Sequence, residues 1–319
     1  MTLEKNNKAL PLHRQNFLDW LDVEKGLATK SQENYGRFIK KFFDWLQFEK
    51  LEHLKPHELT SEHIWDYRLF LSRKCLTRAG EPLKKSTQNY YLIALRMFLN
   101  YCANRDILTL PAEKVSLARD KQERHVRFLA LDQLQKLFAA PDVSTEQGLR
   151  DRAILEVFFS TGMRISELVS LNRDHLNVPK NADDFELTIT GKGGRVRTVY
   201  FSKRALESLD AYLKKRADME PALFLNYRSR DGSSRRLTSR GLEEIFKRYV
   251  VMAGLPLNTT PHVMRHSFAT NLLQQGVDLR LIQEFLGHKH IAATQIYAHV
   301  TNKQLRDVHR KLHGGNNLK

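Results

Sequence analysis

Cysteine is scarce in this chain, since Cys75 and Cys102 are the only two among 319 residues. They lie far apart, and each falls within a helical pattern, so neither a disulfide framework nor a cysteine-rich metal site is expected. No stretch approaches the ~18 to 20 apolar residues of a membrane-spanning helix. The segment from Met1 to Lys8 also lacks the apolar core of a signal peptide. These absences predict a soluble, cytoplasmic protein with reduced thiols.

Negative charge is in the minority. Lysine and arginine together number 52 against 36 aspartates and glutamates, which gives a formal net charge of +16 at pH 7. A field of this sign attracts polyanions. Nucleic acid is therefore the favoured class of partner, and an anionic membrane surface is the rival. The length is sufficient for two domains that each bury a core of ordinary size.

The first part of the chain has very little glycine and a helical pattern throughout. Four helices fit the segment from Leu10 to about Asn104. The second is predicted over Thr29 to Lys50, where apolar residues form one stripe. Thr60 is expected to cap the third helix, and Ser86 to begin the fourth. Lysines and arginines fill the remaining faces, which are either ordinary solvated surface or part of a binding face.

The second part mixes helical and strand-like patterns. Two alternating runs, Phe185 to Thr190 and Arg195 to Phe201, flank a glycine-rich segment and predict a β-hairpin with Lys192 in or beside its turn. Helical patterns lie on both sides of this hairpin. One predicted helix has Thr260 as its N-cap and Pro261 in its first turn.

Two pairs of residues at helical spacing suggest one polar site. His262 and Arg265 stand three apart, so their side chains leave the same face of the predicted helix. Arg164 begins another helix or a sharp turn, and Glu167 can hold its guanidinium or orient an imidazole. Singly, such residues are more often structural. Two arginines together can clamp the oxygens of a phosphodiester and stabilise the charge of its transition state.

Five segments stand in order along the second part of the chain: TGMRISEL, GKGGRVR, PHVMRHSFAT, LGH and TQIYAHV. In this order and at these separations they resemble the signature boxes of the tyrosine recombinases, the phage-integrase and Xer group. The helical first part is similar to the SAM-like core-binding domain of that family. The resemblance implies a mainly α fold with a small β-hairpin, in which a helical domain precedes a mixed α+β catalytic domain.

The resemblance implies that Tyr297 is the nucleophile, linked to a 3′ phosphate of DNA, and that Lys192 protonates the leaving 5′ oxygen. A phenol has an ordinary pKa of about 10, so neighbouring cations would favour the phenolate. A phosphotyrosine bond keeps the energy of the broken strand, and no cofactor is expected. No acidic triad suited to magnesium is present, and Lys289 between His288 and His290 argues against zinc.

The same resemblance assigns the remaining catalytic roles. Arg164 and Arg265 would hold the scissile phosphate, and His262 would donate a hydrogen bond to it. His288 would complete the pocket, and Glu167 would support it from behind.

Domain boundaries follow from the same patterns. Residues 1–108 are predicted to form the helical domain and residues 109–127 a basic linker. Residues 128–319 would form the catalytic domain, which ends in an exchange helix over residues 302–313 and a disordered tail. The linker charge fits a strap across a phosphate backbone or a merely solvated connection.

DNA contacts are expected from three places: the linker, the hairpin and a basic cluster that leads into the helix near Ser239. That helix is similar to the major-groove reader of the family, although a basic loop without specificity fits the composition as well. The expected DNA-binding residues are Arg119, Lys121, Arg124, Arg127, Arg195, Arg235, Arg236 and Arg240.

The expected partners are double-stranded DNA with paired half-sites and other recombinase subunits, either four copies of this chain on two sites or a sister protein. An activating DNA translocase fits a Xer-like role in resolving chromosome or plasmid dimers. A mobile-element integrase is the alternative within the family. A type IB topoisomerase and a DNA-binding regulator that does not cut fit the sequence less well, because the full set of boxes argues against both.

Overall fold

The computed structural model describes residues 3–77, 79–118, 127–179, 182–191, 194–228, 235–287 and 294. The chain divides into two compact units, Met1–Glu123 and Arg124–Lys319, and each has its own hydrophobic core. None of the helices in the described ranges combines the length and the apolar character of a membrane span.

Four α-helices form the described part of the first unit, as the glycine-poor pattern predicts. They are α1 (Arg14–Val23), α2 (Thr29–Phe48), α3 (Ser61–Arg73) and α4 (Lys85–Asn104). Thr60 caps α3 as expected, because its side-chain oxygen accepts a hydrogen bond from the backbone N–H of His63 at 3.3 Å. Helix α2 ends short of the predicted Lys50, whose φ of 61° lies in the left-handed region.

Aromatic side chains fill the core of the first unit. Phe17 and Phe98 are fully buried, and their rings meet edge-on with centroids 5.5 Å apart. Both cysteines are buried free thiols, in agreement with the sequence. The helical placement of Cys75 is wrong, because α3 ends at Arg73, whereas Cys102 lies within α4 as predicted.

The second unit combines helices with one antiparallel hairpin in its described residues. Its helices are α5 (Leu131–Ala139), α6 (Glu146–Thr161), α7 (Ile165–Ser170), α8 (Lys203–Lys215), α9 (Ser239–Met252), α10 (Pro261–Gln274) and α11 (Leu279–Leu286). Strands β1 (Asp184–Thr190) and β2 (Val196–Ser202) pair with Phe185 opposite Phe201 and Thr190 opposite Val196. The predicted hairpin and the mainly helical fold class are confirmed.

Helix α6 lies at the centre of the second unit. Buried residues occur around its whole circumference, and it packs against α8, α10 and β2. Gly162 ends the helix with a φ of 56°, and a Cβ added there would collide with the ring of Phe268. Only glycine fits this turn, which leads directly to Arg164.

The starts of α10 and α11 differ in how they are capped. Thr260 stands at the N-cap of α10, as predicted, but its side chain makes no capping hydrogen bond. Pro261 instead supplies a preset φ and needs no partner for a backbone N–H. Asp278 caps α11, because its side chain accepts from the backbone N–H of Arg280 at 2.7 Å. Gly287 ends α11 with a φ of 60°.

Candidate active site

Arg164 lies in the turn between α6 and α7, at the N-cap of α7. The carboxylate of Glu167 accepts a hydrogen bond from the backbone N–H of Arg164 at 2.7 Å and another from its Nη1 at 2.8 Å. The three-residue spacing at the start of a helix makes this pairing possible. Glu167 therefore fixes both the main chain and the guanidinium of Arg164.

Arg197, on β2, binds the same carboxylate from the other side. Its Nη1 and Nη2 donate to the two oxygens of Glu167 at 3.0 Å and 2.7 Å, and its Nε donates to the backbone carbonyl of Phe285 at 3.2 Å. The sequence interpretation missed this residue. A usable signal was present, because Arg197 alternates with Val199 and Phe201 on the strand face that is buried. A charge on a buried strand face requires a partner.

The environment of Glu167 keeps this carboxylate ionised. Its burial by itself raises the pKa, but hydrogen bonds from Arg197 and from the backbone of Arg164, with the charge of Arg197, outweigh burial and lower the pKa to about 2. The site therefore contains one buried anion between two guanidinium groups.

Arg265, on α10, is buried, with 6% of its surface exposed. Its Nη1 donates to the carbonyl of Gly162 and its Nη2 to the carbonyl of Leu286. Arg164 donates through Nη2 to the next carbonyl, that of Gly287, at 3.2 Å. The carbonyls at the end of a helix lack intrahelical partners and carry partial negative charge. Arg164 and Arg265 therefore converge on adjacent backbone oxygens at the end of α11.

The two histidines near Arg265 differ in exposure. His262 is exposed at the start of α10, and His266 is partly buried. Burial, followed by electrostatic interactions with His262 and Arg265, lowers the pKa of His266 to about 4. His266 is therefore a neutral imidazole at neutral pH, and it is His262 that lies at the surface where a ligand can reach it.

Three predicted catalytic residues, Lys192, His288 and Tyr297, lie outside the described residues. Gly191, which precedes Lys192, and Gly287, which precedes His288, are described, and both lie against Arg197. A Cβ added to Gly191 would lie 2.9 Å from Oε1 of Glu167 and 3.0 Å from Nη1 of Arg197, and one added to Gly287 would lie 2.8 Å from Cδ of Arg197. The residues that precede Lys192 and His288 thus share one arginine side chain as a neighbour.

A cavity of about 730 Å³ opens beside these groups, between β2 and α11. One glutamate, Glu284, lies in its described lining, and so do four arginines: Arg164, Arg195, Arg197 and Arg280. Arg164 and Arg197 share the carboxylate of Glu167, and the guanidinium groups of Arg195 and Arg280 add to their positive charge, so the cavity is suited to an anion.

The expected DNA-binding residues are found in different settings. Arg127, Arg195 and Arg240 are exposed, and Arg240 forms an i,i+4 pair with Glu244 at 3.2 Å. Arg236 is half-buried, and its Nη1 donates to the backbone carbonyls of Val169 and Leu171 at 2.9 and 3.0 Å. The guanidinium of Arg235 lies 6.0 Å from the centre of the Tyr227 ring. Arg119, Lys121 and Arg124 lie outside the described residues.

Metal ligands do not gather anywhere in the described part of the chain. Among those residues, no group of three or more histidine, cysteine, aspartate or glutamate side chains is arranged to hold an ion.

Two family models match the chain. The model of the phage integrase family matches residues 127–304, more than half of the chain, and the model of the phage integrase N-terminal SAM-like domain matches residues 14–109.

Named relatives are similar over nearly their full length. Tyrosine recombinase XerC of Pelotomaculum thermopropionicum is 35% identical over 314 residues, which cover 95% of this chain and 98% of that protein. Tyrosine recombinase XerD of Lacticaseibacillus casei is 33% identical over 305 residues, which cover 93% of this chain and 97% of that protein.

Solved structures share the fold. A crystal structure of the XerH site-specific recombinase bound to a palindromic difH substrate, a post-cleavage complex, matches with a TM-score of 0.76 at 20% identity and covers 97% of this chain and 98% of that one. A crystal structure of a lambda integrase dimer bound to a COC′ core site matches with a TM-score of 0.69 at 18% identity and covers 92% and 77%.

Proposed function

This chain belongs to the phage integrase family and is a tyrosine recombinase, and we propose that it exchanges DNA strands through a covalent bond between Tyr297 and a 3′ phosphate. The observation that carries the proposal is the convergence of Arg164 and Arg265 on the adjacent carbonyls of Gly287 and Leu286. Two guanidinium groups that meet at neighbouring oxygens are placed to meet the two nonbridging oxygens of one phosphodiester.

The proposed reaction exchanges one phosphate ester for another. The oxygen of Tyr297 attacks the phosphorus, and the bond to the 5′ oxygen of the next nucleotide breaks as Lys192 gives that oxygen a proton. Arg164 and Arg265, with a hydrogen bond from His262, hold the added negative charge of the pentavalent transition state. His288 completes the pocket.

Rejoining reverses these steps. A 5′ hydroxyl from another strand attacks the phosphotyrosine and releases the phenol. Because the phosphate ester is never hydrolysed, its bond energy is kept, and resealing needs no nucleotide cofactor. The cationic surroundings of the phosphate also favour the phenolate of Tyr297, whose ordinary pKa is about 10.

The proposed substrate is double-stranded DNA with paired half-sites, bound by several recombinase subunits. Relatives named XerC and XerD support a Xer-like role in resolving chromosome or plasmid dimers, and the solved XerH and lambda integrase structures are complexes with DNA. Integration or excision of a mobile element is the alternative role. An activating DNA translocase and a cytoplasmic location belong to the same proposal.

Subunit exchange through residues 302–313 is part of this proposal. A chain that stops at Thr301 is expected to bind one half-site normally and to assemble poorly on a full site. Normal tetramers from that truncation, measured by gel shift and light scattering, would refute the exchange.

The chemistry is tested with a nicked suicide DNA that carries a candidate site from the genome of the source organism, in the presence of EDTA. The wild-type protein is expected to form a covalent DNA adduct, and Tyr297→Phe is expected to form none. An adduct that persists in Tyr297→Phe would remove the proposed nucleophile. Relaxation of supercoiled DNA without a site, by a monomer, would indicate a topoisomerase instead.

A further inference from the structure

We propose that Arg197 is a positioning residue of the active site, which holds Glu167 in place and through Glu167 aims the guanidinium of Arg164 at the scissile phosphate. The inference rests on the proposed function, because it assigns Arg164 to the phosphate. Arg197 itself would touch neither DNA nor the reacting atoms.

The hydrogen bonds of Arg197 are directed into the protein. Its Nη1 and Nη2 bind both oxygens of Glu167, and its Nε binds the carbonyl of Phe285. The planar guanidinium matches a carboxylate in this two-point geometry, which a lysine cannot reproduce. The side chain of Arg197 is 9% exposed, against 29% for that of Arg164. Arg164 is thus the more accessible member of the pair.

Glu167 depends on this second arginine. Its side chain is 6% exposed, so its charge is largely removed from water and needs more than one partner. Without Arg197 the carboxylate would keep one hydrogen bond from the backbone N–H and one from the guanidinium of Arg164, and its orientation, with that of the guanidinium, would be less firmly fixed. A displacement of about 1 Å at a catalytic group can cost about 100-fold in rate.

Arg197 also contacts the two backbone positions that precede Lys192 and His288. Gly191 and Gly287 both approach its side chain so closely that an added Cβ would lie within 3.0 Å of it. One side chain therefore links α7, the β-hairpin and the end of α11, the three elements that adjoin the proposed catalytic residues Arg164, Lys192 and His288.

A merely structural role would make Arg197 a clamp that stabilises the fold without acting through Arg164. The two roles differ in how they depend on the charge of the substrate phosphate. If Arg197 acts by aiming Arg164, its loss should lower the cleavage rate strongly when the phosphate is anionic. The rate should fall little when one nonbridging oxygen is replaced by a methyl group, because the neutral phosphorus centre needs less stabilisation by a cation.

The test compares single-turnover formation of the covalent adduct on two suicide DNAs, one with the natural phosphate and one with a methylphosphonate at the scissile position. The variant is Arg197→Met. Its control is Arg204→Met, which removes an arginine in a similar arrangement. Arg204 and Arg152 both bind the buried carboxylate of Glu156, at 2.7 Å and 2.8 Å respectively, just as Arg197 and Arg164 both bind that of Glu167. Half-site affinity and thermal unfolding are measured for all proteins.

The expected result for Arg197→Met is a cleavage rate about 10- to 100-fold lower on natural DNA, with half-site affinity changed less than about twofold. On the methylphosphonate the deficit is expected to shrink to about threefold or less. Arg204→Met is expected to cleave both DNAs at nearly the wild-type rate. The same fold deficit on both DNAs, or a weaker half-site complex that accounts for the whole loss, would overturn the proposal.

Should Arg197→Met fail to fold, Arg197→Lys serves in its place, since it keeps the charge and loses the two-point geometry. Its deficit on natural DNA is expected to be smaller and again to shrink on the methylphosphonate, and an unchanged deficit would overturn the proposal. Failure of the proposed function gives a different pattern, in which wild-type protein forms no adduct or Tyr297→Phe still forms one.

Discussion

Arg164 donates a hydrogen bond to the backbone carbonyl of Gly287 at 3.2 Å, across 123 residues of sequence. Arg265 and Arg197 bind the two preceding carbonyls, those of Leu286 and Phe285. Three guanidinium groups thus hold the end of α11. Because a guanidinium carries five N–H donors, binding to these carbonyls is compatible with the proposed contact between Arg164 and phosphate.

Gly287→Ala is expected to lower the cleavage rate by about tenfold or more. The new methyl group would lie 2.8 Å from Cδ of Arg197 and would displace that side chain from Glu167. Single-turnover cleavage measures the effect. The control is Gly276→Ala, where φ is also positive but no atom lies within 4 Å of the added Cβ, so only backbone strain of about 1 to 2 kcal/mol is introduced. Equal rates in the two variants would contradict the contact with Arg197.

Glu167→Gln is expected to lower the free energy of unfolding at neutral pH. The difference from the wild-type protein is expected to become smaller as the pH falls. The folded pKa of Glu167 is about 2, below its ordinary value of 4.5. The ionised group therefore contributes stability above pH 4.5 that is lost as the pH falls toward 2, an effect of at most ~3 kcal/mol. Urea unfolding of both proteins, at neutral pH and at several points below pH 4.5, measures it. A deficit that stays constant across this range would contradict the prediction.

Asp151→Asn is expected to cost about 3 to 5 kcal/mol of stability in the second unit. Asp151 is fully buried and accepts hydrogen bonds from Arg150, Arg248 and Tyr249 at 2.6 to 2.8 Å. The amide would leave the buried charge of Arg150 without its anion. Denaturant unfolding measures the loss.

Asp210→Asn is the control for the loss of stability in Asp151→Asn, because it removes an acidic partner from an exposed ion pair. Asp210 pairs with Lys214 at 2.6 Å, but both side chains are more than half exposed, so the expected cost is about 1 kcal/mol or less. Similar losses in the two variants would show that the buried network is not what stabilises the unit.

Arg240→Ala is expected to weaken binding to the cognate half-site by about 1 to 3 kcal/mol and to leave binding to unrelated duplex DNA nearly unchanged. The side chain of Arg240 is 88% exposed near the start of α9, where we expect it to contact a base edge of bound DNA. Lys214→Ala is the control, because that lysine pairs with Asp210 and borders a groove lined by three acidic residues and two lysines, which has no excess of positive charge to attract DNA. Fluorescence anisotropy on both DNAs measures the affinities. Equal losses on both DNAs would make Arg240 a phosphate contact without specificity.

Predictions from local patterns succeeded where neighbours in the sequence are also neighbours in space. Helix α10 begins at Pro261 with Thr260 at its N-cap, as predicted, and the β-hairpin follows from two alternating runs around a glycine-rich segment. Glu167 lies one helical turn from Arg164 because both belong to the start of α7. Where the local pattern was ambiguous, as at Cys75 and at Lys50, the predicted helix was too long, since periodicity locates the middle of a helix better than its ends.

The amino-acid sequence alone determined the family boxes, the excess of positive charge, most helix and strand positions and the residue types available for phosphate chemistry. Only the tertiary structure decided that Arg197 shares the carboxylate of Glu167, and that three arginines meet the carbonyls at the end of α11. These partners lie 21 to 123 residues apart. Such contacts depend on how helices and strands pack against one another, and a pattern that spans one or two turns of chain carries no information about that packing.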